Sequence, residues 1–454
     1  MKKQTLVITY GTFDLFHDGH YKLLKRARDL GDQLIVGVTS EIFDQNRGKL
    51  NVQDELMQRV NNVKKTGLAD KIIIEEYEGQ KINDIIKYNV DIFAIGSDWK
   101  GKFDYLKEHC EVIYLDRTKG ISSTELRSKK SGIIKLGIIG YGRIAERFIA
   151  ESKFVSGVNI EGVFGLNLSR VKLFAENHEL SFHTTNFSTF LEKVDAVYIA
   201  SPHLTHYEYT KKALAADKHV LCEKPLVLNV DNATELYSLA LLKDRVLLEG
   251  IKTAYSPGFL RLIGLAKSGL IGTIKNVDAT FTKLVNQNCR ELNAKEAGGS
   301  ITELASYPLL AAIKILGRDF ENFYFYSYFD SEKKVDLFTK FNLTYSNSIF
   351  TGKVGLGVKS EGDLIISGTK GYIYVPSPWW KTEFFEARFE NPEYNKKYFY
   401  KFEGDGLRYE LAEFISLIND RKKTRANYKL KVDDTIQIIK IIQAFIDKEN
   451  VKEI

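Results

Sequence analysis

The feature that most constrains the fold is a pair of short apolar runs that each end at a glycine and lead into a segment with helical spacing. Residues 4 to 10 precede Gly11, and residues 134 to 139 precede Gly140. A strand, a glycine turn and a helix in this order start a parallel α/β sheet. Because two such starts occur in one chain, the sequence predicts two separate doubly wound domains. A length of 454 residues allows about three folding units.

The first sheet is predicted to be complete near residue 116. Its other strands are short apolar runs separated by stretches with helical spacing: 33 to 39, 71 to 75, 91 to 95 and 111 to 115. The polar stretch from Arg127 to Gly132 follows and predicts a linker. We therefore expect an N-terminal Rossmann-like domain over residues 1–130.

A second parallel sheet, and then a different kind of sheet, are predicted after the linker. Strands of a dinucleotide-binding Rossmann domain over 133–252 are expected at 134 to 139, 158 to 164, 194 to 199, 218 to 222 and 245 to 249. Longer alternating runs, typical of antiparallel strands, follow at 277 to 285, 320 to 329, 337 to 352, 363 to 375 and 396 to 402. Helical spacing returns at 407 to 418 and 432 to 446. Residues 253–454 are predicted to form an α+β domain with a large, mostly antiparallel open sheet.

Composition excludes several classes of protein. With 44% hydrophobic and 27% charged residues, the chain has the balance of a packed globular protein. A net charge of +6 without a basic tail is only a weak argument for polyanionic partners, and phosphate-bearing small substrates explain it as well as nucleic acid would. No nucleic acid partner is predicted. Three widely spaced cysteines predict a reducing, cytoplasmic compartment: Cys110, Cys222 and Cys289. No apolar run reaches about 18 residues, so no membrane span is expected.

Two histidines lie where the first strand leads into the first helix. Gly11-Thr-Phe-Asp14 is followed by His17-Asp-Gly-His20, directly before the helical segment. A helix start offers unpaired N–H groups and a positive dipole end to phosphate. The imidazoles can donate to oxygens that gain charge when an α-phosphate is attacked, so no covalent intermediate is needed. A zinc pair or two surface histidines are the alternatives, although no cysteine or third histidine lies nearby.

Four ordered motifs within residues 4 to 128 resemble the glycerol-3-phosphate cytidylyltransferase family: Gly11-Thr-Phe-Asp14, His17-Asp-Gly-His20, Gly96-Ser-Asp-Trp99 with Gly101-Lys-Phe-Asp104, and Arg117-Thr-Lys-Gly-Ile-Ser-Ser-Thr124. The resemblance implies transfer of CMP from CTP, accompanied by Mg²⁺, to a polyol phosphate with release of pyrophosphate. It implies catalytic roles for His17, His20, Lys49 and Arg117. It implies nucleotide contacts from Gly11, Thr12, Phe13, Asp98, Ser122, Ser123 and Thr124. Arg59 and Asp70 are expected near the substrate phosphate.

Two departures from the family pattern leave the phosphorylated substrate open. Ser97 stands where the family usually has aspartate, and Arg47 stands where a lysine is common. The stretch Ile121-Ser-Ser-Thr-Glu-Leu-Arg127 also resembles adenylyltransferases of the wider superfamily. ATP is therefore the alternative nucleotide.

The second glycine turn has the spacing of a dinucleotide fingerprint. In Gly140-Tyr-Gly142-Arg-Ile-Ala145, Gly140 allows the turn and Gly142 lets the backbone approach a pyrophosphate. Ala145 takes the place of the third glycine, where the helix meets the sheet. Arg143 and Ile144 complete the predicted cofactor loop.

The segment after the next strand bears on the choice of cofactor. An acidic residue about 20 positions after the fingerprint would bind the ribose hydroxyls of NAD. The sequence there reads Gly165-Leu-Asn167-Leu-Ser169-Arg170 and contains no carboxylate. Asn167, Ser169 and Arg170 can accommodate a 2′-phosphate, so NADPH is expected over NADH.

Three later motifs resemble the Gfo/Idh/MocA oxidoreductase family over about residues 133 to 450: Ser201-Pro-His-Leu-Thr-His206, Glu223-Lys-Pro225 and Gly298-Gly-Ser-Ile-Thr-Glu303-Leu-Ala-Ser-Tyr307. The resemblance implies reduction of a ketone, with Lys224 as the principal catalytic residue and Tyr307 as the acid. It places Glu303, where aspartate is usual, beside the substrate. The residues that it places along the cofactor pocket are Ser201, Pro202, His206 and Glu223.

Structural roles are the alternatives at some of these positions. For Tyr307 the alternative is a core or interface tyrosine. His203 and His206 lack the spacing of a metal pair, and no metal site is predicted. The aromatic runs Phe323 to Phe329 and Tyr398 to Phe402 alternate as in half-buried strands, which disfavours single-stranded nucleic acid binding. The resemblance to the Gfo/Idh/MocA family implies that the open sheet builds a subunit interface. A homo-oligomer formed through the C-terminal sheet is therefore expected.

Together the two halves predict a bifunctional enzyme of CDP-polyol synthesis for a bacterial capsule or teichoic acid. One domain would reduce a ketose phosphate or a CDP-ketose to the alditol, and the other would attach CMP. Either order of the two reactions is chemically allowed. Two alternatives remain: a cytidylyltransferase with a catalytically silent oxidoreductase-like scaffold, and a nucleotide-sensing regulator.

Overall fold

The computed structural model describes residues 4–14, 16–46, 52, 54–77, 79–116, 133–419 and 428–454. The chain divides into two compact units, one of residues 1–135 with 153–160 and one of residues 136–152 with 161–454. Among the described residues, no helix combines the length and the hydropathy that a membrane crossing requires.

The first unit contains a parallel sheet of five strands in the order β3-β2-β1-β4-β5. The strands are β1 Leu6–Gly11, β2 Gln33–Thr39, β3 Lys71–Glu75, β4 Ile92–Gly96 and β5 Glu111–Leu115. The helices are α1 Asp18–Arg28, α2 Glu41–Asn46, α3 Leu56–Lys65 and α4 Gln80–Tyr88. Successive strand residues face opposite sides, so Val7 packs with α1 and α3 and Ile8 packs with α4. The order reverses between β1 and β4, where a sheet of this kind forms its binding crevice.

The second unit begins with a six-stranded sheet in the order β11-β10-β9-β6-β7-β8. Its strands are β6 Ile134–Ile139, β7 Val158–Phe164, β8 Phe182–Thr184, β9 Ala196–Ile199, β10 His219–Glu223 and β11 Leu247–Gly250. Its helices are α5 Arg143–Ser152, α6 Leu168–Asn177, α7 Phe187–Glu192, α8 His206–Ala215 and α9 Val230–Leu242. Asn167, Asn186 and Asn229 each begin a helix by accepting a hydrogen bond from the N–H three residues on.

The rest of the second unit is built on a nine-stranded sheet in the order β19-β18-β17-β16-β12-β15-β14-β13-β20. Its strands are β12 Ile274–Thr282, β13 Asn322–Phe329, β14 Asp336–Thr344, β15 Ile349–Gly355, β16 Leu364–Gly368, β17 Tyr372–Val375, β18 Phe384–Arg388, β19 Lys396–Phe399 and β20 Val451–Glu453. The pairs β12/β15 and β13/β20 are parallel and the others are antiparallel. Its helices are α10 Pro257–Lys267, α11 Ser300–Leu304, α12 Ser306–Leu316, α13 Leu407–Asn419 and α14 Val432–Ile446.

A buried ion pair joins α13 to the Rossmann sheet layer. Arg408 Nε donates to Glu151 Oε2 at 2.9 Å, and Nη2 donates to Oε1 at 3.0 Å. Both side chains are at least nine-tenths buried. A two-pronged contact of this kind fixes the C-terminal helix against α5, since breaking a buried pair typically costs about 3–5 kcal/mol.

The predicted fold class is confirmed, since two parallel Rossmann-like sheets precede a mixed, mostly antiparallel one. Two predicted strands are wrong because each is a hairpin. The run 337–352 turns where Tyr345 N–H donates to Ser348 O, and the run 363–375 turns where Gly368 N–H donates to Gly371 O. β8, β18 and β20 were not predicted. The boundaries 1–130, 133–252 and 253–454 stay predictions.

Candidate active sites

The loop after β1 forms the floor of the first site. Phe13 adopts a left-handed backbone conformation with φ of 54° and is almost completely buried. Its ring lies under Gly11, where an added Cβ would be 3.0 Å from the ring carbons. A side chain at position 11 would therefore press against the Phe13 ring, which would have to shift by a few tenths of an ångström.

The two histidines of the first motif are brought together at the start of α1. Their rings stack with centroids 3.9 Å apart, and the His20 ring also contacts Phe13 and Phe16. His17 caps the helix, because its Nδ1 accepts a hydrogen bond from the Gly19 N–H at 3.0 Å. The imidazoles therefore stand where the helix dipole and the unpaired N–H groups favour a phosphate.

Arg59 is placed differently from the prediction. It is fully buried and donates through Nη1 to Thr12 O at 3.0 Å and to Thr39 O at 2.7 Å. The same nitrogen lies 3.4 Å from Asp44 Oδ2, and Asp44 also accepts from the Thr39 hydroxyl at 2.6 Å. The Arg59 side chain thus ties the loop after β1 to the end of β2, and its predicted contact with a substrate phosphate is corrected to a positioning role.

Asp70 also requires a correction. It precedes β3 and its Oδ2 accepts the Leu34 N–H at 2.7 Å, so it lies at the amino-terminal edge of the parallel sheet. Gly11 and the histidines follow the carboxyl-terminal edge, where ligands of such sheets bind. The structure therefore does not bring Asp70 together with Arg59 or with the histidine pair.

Several predicted residues of the first site lie outside the described part of the chain: Lys49, Arg117, Ser122, Ser123 and Thr124. For Asp98 the structure gives the backbone, which forms a short 3₁₀ helix, Ser97–Trp99, directly after β4. β4 neighbours β1, so this turn begins at the same edge of the sheet as the loop after Gly11.

Replacing Arg59 by methionine is expected to lower the free energy of unfolding of the N-terminal domain by about 3–5 kcal/mol, because a buried charge network loses its cation. Differential scanning calorimetry of the full chain measures the change. Arg28→Met is the matched control, because Arg28 is partly exposed and lies 3.6 Å from Asp70, a contact worth about 1 kcal/mol or less. Equal losses in the two variants would contradict the positioning role.

The second site starts at the turn between β6 and α5. Gly140 has φ of 102°, and a Cβ there would lie 2.6 Å from Ala200 O. A Cβ on Gly142 would meet no atom within 4 Å, so this position is open toward a ligand. Ala145 is fully buried where α5 meets the sheet. The turn thus has the shape that a dinucleotide pyrophosphate requires at a helix start.

A cavity of about 710 Å³ opens from this turn, within the size range of small-molecule sites. One wall comes from the Rossmann sheet and the other from β12 and the helices that follow it. The predicted residues that line the cavity are Gly140, Gly142, Arg143, Ile144, Arg170, Ser201, Pro202, His206, Glu223, Lys224, Glu303 and Tyr307.

Lys224 is held at the centre of the cavity by α11. Its Nζ donates to Glu303 O at 2.9 Å and lies 3.9 Å from Glu303 Oε2. The Glu303 carboxylate in turn accepts from Arg290 Nη2 at 2.9 Å. The Lys224 side chain is 15% exposed, so its amine is both fixed and open to a ligand.

Glu223 and His206 stabilise the Rossmann wall of the cavity through polar contacts with neighbouring residues. Glu223 Oε1 accepts from the Tyr198 hydroxyl at 2.6 Å, and burial raises the pKa of Glu223. The His206 ring nitrogens lie 2.9 Å from Pro225 O and 2.9 Å from Ser201 O. His206 therefore connects Ser201 of the cofactor loop to Pro225, the residue after Lys224. This structural role is additional to its predicted place in the pocket.

Tyr307 lies one helical turn beyond Glu303 and packs against Phe281, with ring centroids 5.0 Å apart. Phe281 stacks on Trp380 at 3.7 Å, which fixes the aromatic wall. Burial, and then the Glu223 carboxylate, raise the pKa of Tyr307 well above its ordinary value. The hydroxyl therefore stays protonated at neutral pH and can donate a hydrogen bond to a ligand.

The three residues predicted to hold a 2′-phosphate have different positions. The Asn167 side chain accepts the Arg170 N–H at 3.0 Å and serves as the cap of α6. Ser169 is exposed on the helix surface. Arg170 lines the cavity, with its guanidinium 5.0 Å from the centroid of the Tyr141 ring. The prediction is therefore corrected to Arg170 as the residue of this group that faces the cavity.

Sequence reasoning missed four charged residues of the cavity, one of which, Arg147, lies on α5. Lys283 follows β12, and Arg290 and Glu291 belong to the 3₁₀ helix Arg290–Leu292. No motif marks them, although the position of Lys283 directly after a strand was a usable signal. Among the described residues, no group of three or more histidine, cysteine or acidic side chains is arranged to hold a metal.

Comparison with known proteins assigns the first unit. Residues 8–129 match the cytidylyltransferase-like family. The glycerol-3-phosphate cytidylyltransferase of Bacillus spizizenii is 50% identical over 133 residues, which cover 29% of this chain and 100% of that protein. The enzyme of the same name from Staphylococcus aureus is 47% identical over 126 residues, covering 28% of this chain and 95% of that protein.

The second unit matches a different family. Residues 134–251 match the Gfo/Idh/MocA oxidoreductase family with its NAD-binding Rossmann fold. The crystal structure of a 3-ketoreductase from Actinomadura kijaniata, in complex with NADP and TDP-benzene, superposes with a TM-score of 0.64 at 21% identity, covering 71% of this chain and 99% of that one. The chain therefore belongs to the glycerol-3-phosphate cytidylyltransferase family through its N-terminal part, carries an NAD(P)-binding Gfo/Idh/MocA oxidoreductase domain after it, and is a bifunctional enzyme.

Proposed function

We propose that the chain makes a CDP-polyol by two reactions: CMP transfer from CTP to a polyol or ketose phosphate, and NADPH-dependent reduction of the ketose to the alditol. The observation that carries the proposal is one chain holding both a stacked histidine pair at a helix start and a dinucleotide cavity with Lys224 at its centre. A phosphorylated ketose is a carbon skeleton on which both chemistries can act.

In the first reaction a phosphate oxygen of the acceptor attacks the α-phosphorus of CTP, and pyrophosphate leaves. His17 and His20 stand at the start of α1 and donate to the phosphate oxygens that gain charge. Mg²⁺ accompanies CTP and is held mainly by triphosphate oxygens, as is usual for this cation. Arg59 keeps the loop after β1 in place.

In the second reaction the carbonyl carbon gains a hydride and the carbonyl oxygen gains a proton. The nicotinamide cofactor supplies the hydride when it is bound along the glycine turn. Lys224 supplies the proton, because its amine is fixed by Glu303 O and open to the cavity. Tyr307, which the family resemblance makes the acid, is proposed instead to donate a hydrogen bond that orients the carbonyl, because its raised pKa favours keeping its proton.

NADPH is the proposed cofactor because Arg170 faces the cavity where NAD-specific folds place an acidic residue. Arg170→Ala is expected to raise the KM for NADPH by about 10- to 100-fold, as expected for the loss of a charge-assisted contact to phosphate, and to leave the KM for NADH nearly unchanged. Steady-state kinetics with both cofactors measure this. Lys172→Ala on the same helix is the control, because Lys172 is 59% exposed. An equal rise for NADH would contradict the assignment.

A second copy of the chain is proposed to cover the outward face of the nine-stranded sheet. Tyr324, Tyr326 and Tyr328 project from β13 and are 48%, 41% and 49% exposed. Half-exposed aromatic residues in a row are typical of subunit interfaces. Light scattering is expected to give the mass of a dimer or larger assembly for the native chain and a smaller mass for Tyr326→Asp. A monomeric native chain would contradict the proposal.

The proposed setting is the cytoplasm of a bacterium that builds a capsule or teichoic acid from polyol phosphate units. The unpaired cysteines Cys110, Cys222 and Cys289 are consistent with a reducing compartment. A CDP-polyol is an activated donor of such units, and the reduced skeleton is supplied by the second domain.

The order in which CMP transfer comes before reduction is supported by one relative of the second domain. The dTDP-3,4-didehydro-2,6-dideoxy-alpha-D-glucose 3-reductase of Actinomadura kijaniata is 30% identical over 192 residues, covering 41% of this chain and 58% of that protein. That enzyme is named for a nucleotide-linked keto sugar, which favours a CDP-ketose as substrate of the cavity.

The proposal is tested by supplying CTP, NADPH and a panel of ketose and alditol phosphates, with pyrophosphate release and NADPH oxidation followed separately. We expect pyrophosphate release from CTP and NADPH oxidation by a ketose phosphate or its CDP ester. Consumption of ATP in place of CTP, or no NADPH oxidation with any ketone, would overturn it.

A further inference from the structure

The cavity wall that faces the glycine turn carries two cations that the proposed reduction does not use. Lys283 follows β12 and Arg290 opens the 3₁₀ helix after it, and both line the cavity. Lys224 and Tyr307 account for the proton and for the orientation of the carbonyl. Lys283 and Arg290 therefore need a partner other than the carbonyl group of the ketone.

Glu291 is the carboxylate nearest Lys283, and it is shared with another cation. Its Oε1 lies 3.7 Å from Lys283 Nζ and 3.3 Å from Arg143 Nη2. Burial lowers the pKa of Lys283, and the nearby positive charges of Lys224 and Arg143 lower it further. The carboxylates of Glu291 and Glu303 raise it, but the net pKa stays below its ordinary value. One shared carboxylate leaves the Lys283 amine undercompensated, and a bound anion would stabilise its charge.

Arg290 is also only partly satisfied. Its Nη2 donates to Glu303 Oε1 at 2.9 Å, and the Oε2 of that carboxylate lies 3.9 Å from Lys224 Nζ. Arg290 Nη1 is buried and makes no hydrogen bond to any residue in the described parts of the chain. A buried guanidinium nitrogen without an acceptor is unfavourable, and an anion in the cavity supplies the acceptor.

We propose that Lys283 and Arg290 form a subsite for a phosphate group carried by the ketone substrate, either a phosphate monoester or the diphosphate of a CDP-ketose. The inference rests on the proposed reductase function and specifies its substrate class. An arginine fork beside a lysine is a recurrent way to bind phosphate oxygens. Because Glu303 bridges Arg290 and Lys224, the subsite suits a phosphate within a few carbons of the carbonyl.

The phosphates of the cofactor have their own partners on the opposite wall. The start of α5 at Gly142 receives the pyrophosphate, and Arg170 lies where a 2′-phosphate is expected. Lys283 and Arg290 come instead from the segment that carries the substrate-facing residues. Substitutions in the two segments therefore let an experiment distinguish a substrate subsite from a cofactor contact.

The kinetic test uses the full chain and two series of ketones, one built on dihydroxyacetone and one on ribulose. Each series has three members with one skeleton: the free ketose, its phosphate ester and its CDP ester. We expect kcat/KM for NADPH oxidation to be at least about 10-fold higher with a phosphorylated ketone. Lys283→Met and Arg290→Met should each raise the KM for that ketone about 10- to 100-fold, with little effect on the free ketose or on the KM for NADPH. Arg290→Lys, which keeps the charge, should restore part of the loss. Because Arg290 also contacts the Glu303 carboxylate beside Lys224, unchanged use of the free ketose is the criterion for Lys283→Met alone.

Lys275→Met is the matched control, because Lys275 is exposed on β12, the strand that precedes Lys283, and contacts Asn347. Preference of the phosphate ester over the CDP ester, or the reverse, identifies which source of phosphate the subsite takes. Equal use of the free ketose, equal loss with all three ketones, or a raised KM for NADPH alone would overturn the inference.

A binding measurement separates this inference from the proposed function. Calorimetric titration of the NADPH-bound chain with pyrophosphate should show affinity that falls at least about 10-fold in Lys283→Met and Arg290→Met. Unchanged affinity in both variants contradicts the subsite. Failure of every ketone to oxidise NADPH, with pyrophosphate binding still dependent on these residues, contradicts the proposed reduction and leaves the anion subsite supported.

Discussion

Replacing Lys224 by methionine is expected to lower kcat for NADPH-dependent ketone reduction by about 10²–10⁴-fold, the range for loss of a general acid, and to leave CMP transfer unchanged. Methionine keeps the apolar stem but lacks the amine that Glu303 O holds in the cavity. NADPH oxidation by absorbance and pyrophosphate release from CTP, measured on the same preparation, test both halves of this expectation.

The control for this substitution is Lys212→Met, because Lys212 is 61% exposed on α8. NADPH binding, followed by fluorescence titration, should be nearly the same in both variants, since Lys224 acts on the ketone. Undiminished reduction by the Lys224 variant would show that the proton comes from elsewhere. Loss of CMP transfer in the same variant would show that the substitution disrupts the fold.

Replacing His17 by asparagine is expected to lower the rate of CMP transfer by about 10²–10³-fold, as when one preorganised donor to a reacting oxyanion is lost. Asparagine is chosen because it caps a helix well and can replace the acceptor that His17 Nδ1 offers to the Gly19 N–H. The expected loss therefore reports the imidazole rather than the start of α1. Reduction of ketones by this variant should be unchanged.

His109→Asn is the matched control for His17, because His109 is exposed in the same unit. Pyrophosphate release with CTP and a panel of acceptors measures both variants. Wild-type CMP transfer by His17→Asn would remove the histidine pair from the reaction. A similar loss in His109→Asn would mean that the assay reports general destabilisation.

Most strands of the two parallel sheets could be predicted because they are short apolar runs bounded by turns, whereas the three-residue β8 was missed. β2, β3, β5, β6 and β7 have the limits that the sequence predicts. The antiparallel sheet was harder, because alternation of apolar residues continues on both sides of a tight turn. Ser346-Asn347-Ser348 is a turn signal that the predicted run 337–352 passed over.

In the first site, a contiguous motif was sufficient to predict the position of some residues but not of others. His17 and His20 lie together because both belong to one turn, and their spacing is sufficient to place them. Asp70 precedes a parallel strand, which puts it at the edge of the sheet opposite the ligand crevice. The burial of Arg59 depends on how α3 packs against β2, and no local pattern encodes that contact.

The second site could be predicted on its Rossmann wall but not on the other. The glycine turn, Glu223 and Lys224 follow strands whose order is regular. Lys283 and Arg290 reach the cavity because β12 crosses the centre of the nine-stranded sheet and the loop after it turns back toward Glu303. A long-range placement of this kind has no signature in a single sequence.

The central claim is that both sites act on one carbon skeleton. Its most direct test supplies the full chain with CTP, a ketose phosphate and NADPH deuterated at the transferable position, and determines the masses of the products. The account predicts a single CDP-alditol that carries both CMP and one deuterium on the former carbonyl carbon, and that requires both CTP and the cofactor. Deuterium found only in alditols that never acquire CMP would contradict it, as would CMP transfer only to acceptors that the cavity never reduces.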